Sequence, residues 1–317
     1  MSLFKSSGPS FILAPMADIT HIAFIELIRI FGPCDIFFTE MLNTRIVPNE
    51  SLRKSSFLKF SIKAKPIICQ LLGNEPLLFK KSMEKLEFFD FDGYNINMGC
   101  CEAELIKKGF GVALMKDAVQ TATLVSRIRK YTKKNLSIKI RIGFEKNFND
   151  LEQFCRLLEN EGIDAIILHA RTKADRYKRP AAWEYINKLK EIIAIPLIGN
   201  GDIRNPAEAL EKAKTSKCEG IMIGRYAITN PIIFKQISQA ASGQEITLLT
   251  NKLKKDIYLK LIDLIQEHFN TDIQLKKIKR INPFFFNSFT FGHSMLKKVN
   301  KANDLEELKS IFLDLNI

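Results

Sequence analysis

The sequence predicts a (β/α)8 (TIM) barrel followed by an all-helical C-terminal domain. Eight short β-rich runs alternate with amphipathic helical patterns over roughly the first 240 residues, the repeat expected of that fold. One run, 137–142, alternates strictly: Ile138, Ile140 and Ile142 face one way, Lys139 and Arg141 the other. After about Gln244 the alternation stops and only helical patterns follow.

Taken in order, the runs are 11–16, 35–39, 66–72, 93–96, 137–142, 165–169, 195–198 and 220–223. Helix-like stretches separate most of them, at 22–30, 77–88, 121–131, 151–161, 183–192 and 207–213. The link from 41 to 65 is polar and less regular. A doubly wound sheet would also alternate, but the G-x-G-x-x-G turn expected after its first strand is missing. Gly109-Phe110-Gly111 is a lone GxG with no strand before it. In a barrel, the apolar side of 137–142 meets the helices, so Lys139 and Arg141 point to the axis and enter the mouth.

Residues 1–245 are assigned to the barrel and 246–317 to the helical domain. There, 246–269 reads as one helix, followed by a basic cluster (Lys276, Lys277, Lys279, Arg280) and Phe284, Phe285, Phe286, Phe289 and Phe291. Phenylalanines supply the large apolar side chains a small domain needs, while the cations suit RNA.

Composition narrows the function classes. With 46% hydrophobic and 26% charged residues, the chain reads as a soluble globular protein. It has no signal-peptide pattern and no run of ~18 apolar residues, so a cytoplasmic protein without a membrane span is expected. A net charge of +13 fits a polyanionic partner, and equally a lysine-rich surface used for solubility. Six cysteines are present, with no CxxC pair and no histidine cluster near them, so no metal site is expected. Cys34, Cys69, Cys155 and Cys218 lie in or beside apolar segments and read as buried, reduced thiols.

Two features carry chemistry. Asn97-Met98-Gly99-Cys100 follows an apolar run and places a thiol at the barrel mouth, where it could be a nucleophile, a ligand or a proton donor. The turns after the seventh and eighth runs, 198–206 and 223–231, are alike: strand, glycine turn, Asn-Pro. Each proline suits the first position of a helix. Glycine turns at these two places commonly bind phosphate through backbone N–H groups, and Arg225 adds a donor fork. Two tight turns without a ligand are the plainer alternative.

These motifs occur together in one order. Leu13-Ala-Pro-Met-Ala17 with Thr20, Thr39-Glu-Met41, Gln70-Leu-x-Gly73, Asn97-Met-Gly-Cys100, Gly109-x-Gly-x-Ala-Leu-Met115, Lys139-Ile-Arg-Ile-Gly143, His169-x-Arg-Thr172, Asn200-Gly-Asp202 and Gly224-Arg225 stand in register. The chain resembles the tRNA-dihydrouridine synthases, flavin enzymes that reduce uridine in tRNA. The likeness is strong over about 10–240 and weaker in the helical tail.

The resemblance implies an FMN-containing barrel with a helical tRNA-binding domain, using NADPH or NADH as reductant. By position, Pro15, Met16 and Ala17 would border the flavin and Gln70 would hydrogen-bond its ring. Lys139 would sit beside the ring where a cation stabilises the reduced form, and His169 would contact the cofactor. Asn200, Gly201, Asp202, Gly224 and Arg225 would hold the ribityl phosphate. Asn97, Arg141 and Tyr177 fall where the target uracil is contacted.

Reducing the C5–C6 bond of uracil takes a hydride at C6 and a proton at C5. FMN supplies the first and a general acid the second. Cys100 matches the family's proton donor. A thiol near its ordinary pKa of ~8.5 is mostly protonated at neutral pH. No histidine or cation that would activate it stands nearby before Lys107, while Glu102 and Glu104 favour the neutral form. Two positions depart from the family: Cys101 replaces the usual proline, and Ala170 the usual glycine. Adjacent side chains of an extended segment point opposite ways, so one thiol should serve, and Cys100 is assigned. Other readings are an FMN oxidoreductase acting on a free pyrimidine, or a tRNA-binding relative with weakened catalysis. A monomer is expected.

Overall fold

A computed structural model describes residues 3–4, 8–60 and 63–315. Among the described residues nine strands form one parallel sheet: β1 (Ser10–Leu13), β2 (Phe37–Phe38), β3 (Leu42–Asn43), β4 (Ile67–Leu72), β5 (Gly93–Met98), β6 (Asn135–Gly143), β7 (Ala165–Thr172), β8 (Leu197–Asn200) and β9 (Gly220–Ile223). Their spatial order is β1-β9-β8-β7-β6-β5-β4-β2, and an Ile12–Ile36 bridge joins the two ends into a barrel. The short β3 also pairs with β4, extending the path of β2. It lies in the 41–65 link, which sequence reading leaves irregular.

The strand limits differ from expectation in an instructive way. β1 ends at Leu13, because the Met16 carbonyl accepts from the Ile19 and Thr20 N–H groups and turns the chain. β5, β7 and β8 instead run on to Met98, Thr172 and Asn200. Their ends carry Asn97, Arg171 and Asn200, polar residues that end an apolar run in sequence yet suit a barrel mouth.

Alternation along the strands builds two cores. Ile12, Phe38, Ile68, Ile167, Ile198 and Met222 fill the barrel, with Phe4 buried against them. Ile138, Ile140 and Ile142 join the second core, between barrel and helices, as their spacing predicts. The helices Ile22–Phe31, Pro76–Leu86, Ala118–Arg129, Phe148–Asn160, Trp183–Lys190, Pro206–Ser216 and Ile233–Ala241 cover that face. Several start on side-chain caps, such as Asn205 accepting from the Glu208 N–H at 2.8 Å, with Pro206 in the first turn. The second Asn-Pro is different. Asn230 ends a short helix, Tyr226–Thr229, and donates to the Gln236 side chain at 2.7 Å; the next helix begins at Ile233.

The tail forms the helices Asn251–His268, Thr271–Phe285, Gly292–Val299 and Leu305–Leu313. The first lies on Ile22–Phe31, and its apolar residues are continuous with the outer core of the barrel. The basic cluster sits inside Thr271–Phe285, which corrects the assignment of all four cations to RNA. Lys277 is buried in an ion pair with Glu40 at 3.8 Å. Lys279 donates to the carbonyls of Asn300 and Ala302 at 3.0 and 2.8 Å. Lys276 and Arg280 are exposed, and Arg280 pairs with Asp18 at 3.6 Å. The phenylalanines divide likewise. Phe285, Phe286 and Phe289 pack around Tyr258 and Phe312, Phe291 is 73% exposed, and Phe284 faces the barrel mouth. Cys69, Cys155 and Cys218 are buried, whereas Cys34 is partly covered and donates to the Ile36 carbonyl. No helix among the described residues is long and apolar enough to cross a membrane.

Candidate active site

A ladder of polar side chains crosses the barrel interior below its C-terminal mouth. Gln70 donates to Asn95 at 2.7 Å, and Asn95 donates to the Ser137 hydroxyl at 2.9 Å. Asn97 donates to the Gln70 carbonyl oxygen at 2.8 Å. With its own side-chain oxygen Asn97 accepts from the Gly99 and Cys100 N–H groups at 3.1 and 3.0 Å. Asn97 therefore anchors the cysteine turn to the barrel wall.

The lone GxG proves to be the floor of that turn. Gly111 has φ +61°, and a Cβ there would lie 2.6 Å from the Cys100 carbonyl oxygen. The next N–H, from Val112, donates to that oxygen at 3.0 Å. Both cysteines are half-buried. Burial pushes the Cys100 thiol up, against the Glu102 N–H; the Glu102 carboxylate adds to the rise and Arg141 opposes it. Cys101 is also raised by burial and points back to the Gly99 carbonyl at 3.5 Å.

Arg141 is almost fully buried. Its Nε donates to Gly99 at 2.9 Å, and its Nη1 to the carbonyls of Thr172 and Arg176 at 3.0 and 3.1 Å. It thus ties the cysteine turn to the loop after β7. Tyr177 on that loop is 58% exposed, with the Arg225 guanidinium 4.2 Å from its ring centre.

Beside these groups lies a cavity of about 510 Å³. Of the residues expected from sequence, Pro15, Met16, Lys139, His169, Tyr177, Asn200, Gly201, Asp202, Gly224 and Arg225 line it. Ala17, Gln70, Asn97, Cys100 and Arg141 do not. Ala17 is exposed, and Gln70 is sealed in the polar ladder below. The cysteine turn flanks the cavity through Lys139, on which both Cys100 and Cys101 act electrostatically. Residues not assigned to the site from sequence also line the wall: Arg171, Lys178, Arg179, Arg204, which reads from sequence as a solvated cation, and, from the helical tail, Phe284 and Asn287. Arg171 and Arg204 stand within the motif segments, next to chosen positions; nothing in the sequence links Phe284 or Asn287 to a barrel mouth.

A family model described as dihydrouridine synthase matches residues 12–315. The chain belongs to the dihydrouridine synthase family. The match runs through the helical tail, where likeness to the family is expected from sequence to weaken. The chain is similar to a probable tRNA-dihydrouridine synthase of Helicobacter pylori (strain ATCC 700392 / 26695), 30% identical over 94% of this chain and 88% of the relative. Its counterpart in Rickettsia conorii is 27% identical over 92% and 89%. Among solved structures, histamine dehydrogenase from Rhizobium sp. 4-9 shares the fold with TM-score 0.58 at 13% identity, covering 82% of this chain. A 2-naphthoyl-CoA reductase complex does so with TM-score 0.56 at 11% identity, covering 74%. The chain spans about half the length of each of these two structures, 51% and 50%.

In this family member the cavity suits an anionic, ring-bearing ligand. Lys139, Arg171, Arg204 and Arg225 face one carboxylate, Asp202. Against the cost of burial, the Arg171 fork and the Ala181 N–H hold that carboxyl below its usual range. Asp202 is thus spent on its neighbours, and the net field is positive. A Cβ on Gly224 would meet nothing closer than 3.7 Å, so this turn opens onto the cavity. Pro15, Met16, Met222 and Phe284 supply flat or apolar wall. A phosphate beside the arginines with a planar ring toward the apolar wall fits this donor set, as FMN would. Burial pulls Lys139 down to about 7, with Arg141 adding to the effect, while Lys139 donates to Asn200 at 3.0 Å. His169 is held well below its ordinary value, first by burial and then by the surrounding cations, and is neutral.

Proposed function

We propose that this protein is a tRNA-dihydrouridine synthase that reduces the C5–C6 double bond of a specific uridine in tRNA. FMN, when bound, supplies the hydride for C6 and is re-reduced by NADPH or NADH. The observation that supports this reading best is the thiol turn beside a cation-rich mouth, in a chain matching the family from 12 to 315. Arg225, Arg204 and the glycine turns at Gly201 and Gly224 would hold the FMN phosphate. Pro15 and Met16 would border the ring, over the support of Gln70, while Ala17 stands outside the cavity. Lys139 places a titratable ammonium beside it, and its depressed value lets the charge respond to the charge of the ligand.

Cys100 gives its proton to C5. The raised pKa suits an acid, which must enter the reaction protonated. Asn97 and Arg141 position the turn, and Tyr177 closes the substrate side of the mouth. Residues 246–317 serve as the tRNA-binding part, with Lys276 and Arg280 as the exposed cations of the basic cluster. The target base must leave its stack to reach the mouth, at a cost of a few kcal/mol that phosphate contacts offset. The protein acts as a monomer in the cytoplasm.

Dihydrouridine mapping tests the proposal. One tRNA position should lose the modification in a strain lacking the gene, and the purified yellow protein with NADPH or NADH should restore it. Unchanged tRNA in that strain, together with turnover of free uracil, would instead favour the free-pyrimidine enzyme.

A further inference from the structure

Arg171 stands between Asp202 and His169. Its Nη2 lies 2.7 Å from both carboxylate oxygens of Asp202, and its Nε donates to the Arg179 carbonyl at 2.7 Å. The Ala181 N–H grips the same carboxylate at 2.7 Å. The guanidinium is 3% exposed, so this anchorage leaves it little room to turn. Its remaining arm, Nη1, lies 3.1 Å from His169 Nε2.

A guanidinium only donates, because it keeps its protons at any pH a protein survives. Nε2 must therefore be the acceptor. An imidazolium carries N–H on both ring nitrogens and would set donor against donor. The neutral ring with its proton on Nδ1 is the one form that satisfies the contact. Among the described residues Nδ1 itself has no protein partner, it is not among the atoms sealed from solvent, and His169 lines the cavity.

We propose that Arg171 is a positioning residue that holds His169 as the neutral Nδ1–H tautomer, so that His169 offers the cavity a hydrogen-bond donor and no acceptor. The ligand group this recognises is an acceptor: a ring carbonyl, an unprotonated ring nitrogen or a phosphate oxygen. Burial and the cations around His169 keep the ring neutral in the same sense. The inference rests on the cavity being a ligand site, as in the reading above, and is independent of tRNA reduction. It also gives Asp202 a task other than contact with phosphate: its carboxylate fixes the arginine that sets the tautomer.

Nitrogen magnetic resonance tests this on the purified protein. The chain has four histidines, so isotope-labelled histidine gives a small set of ring signals. His169 is assigned by the signals lost in His169→Asn. The expected result is a protonated Nδ1 and a bare Nε2, unchanged across neutral pH. In Arg171→Met the proton should move to Nε2, the form a free neutral side chain prefers. A wild-type His169 with its proton on Nε2 would overturn the proposal, as would a folded Arg171→Met protein that keeps Nδ1–H. The wild-type spectrum decides without any variant, so a variant that fails to fold leaves the test standing. No tRNA is present, so failure here is distinct from failure of the assigned reaction.

Discussion

At the scale of single residues, two adjacent thiols sit at the mouth and their surroundings separate them. Burial raises both, but the Glu102 carboxylate pushes Cys100 further up, while cations (Arg141, Lys173, Arg176) oppose the rise at Cys101, whose thiol turns back to the Gly99 carbonyl. Cys100→Ala should therefore lower dihydrouridine formation by about 10²-fold or more, the range a general acid contributes. Cys101→Ala should retain most activity. The opposite ranking in single-turnover assays of the two variants would move the acid to Cys101. The pH profile follows from the same shift. A raised pKa keeps the acid protonated past the ordinary thiol range of ~8.5, so the rate should decline only at alkaline pH.

Elements carry the next layer. The cysteine turn belongs to β5, yet its shape is held from three places: Asn97 on its own strand, Arg141 on β6, and Gly111 beneath. Gly111→Ala sets a Cβ against the Cys100 carbonyl at 2.6 Å, in a backbone region that L side chains rarely adopt. The expected cost is about 1–3 kcal/mol in urea unfolding, with activity lost as the turn shifts. A fully active variant of unchanged stability would mean that the GxG segment does not support the thiol. Helix caps behave more simply, because Asp117, Asn147 and Asn205 each accept from an N–H within the first turn, as their residue types predict.

At the scale of the molecule, the helical tail is locked to the barrel through buried charge as well as apolar packing. Lys277 and Glu40 are both under a tenth exposed, and Glu40 also accepts from the Asp18 N–H at 2.9 Å, near the cavity-lining turn at Pro15 and Met16. Lys277→Met leaves Glu40 without its cation. Burial already raises the Glu40 carboxyl, and loss of Lys277 raises it further. A carboxyl raised in the folded state stabilises below its unfolded pKa and loses that contribution as pH rises through the folded value. The variant should thus lose about 3–5 kcal/mol at pH above that value and recover stability on mild acidification. Equal losses in urea titrations at both pH values would rule out the buried charge as the cause. The net charge of +13 belongs to this scale too. Catalytic efficiency on tRNA should fall steeply and linearly on a log–log plot against salt, and a flat response would argue against a phosphate-dominated encounter.

Local pattern and order were enough to read much of this protein. Period-two alternation placed Lys139 and Arg141 inside the barrel, because a strand closed on both sides offers only helix-facing and axis-facing positions. The ordered motifs named the family and about half of the cavity wall. Tertiary structure decided what each polar atom was free to do. Asp202 and Arg171 are adjacent only because β7 and β8 pair, Lys277 loses its solvent-facing role because its helix docks on the barrel, and Phe284 reaches the mouth from the far end of the chain. A sequence carries residue type and spacing along one dimension. Whether a charge meets solvent, a ligand or another side chain depends on neighbours that only chain closure brings together.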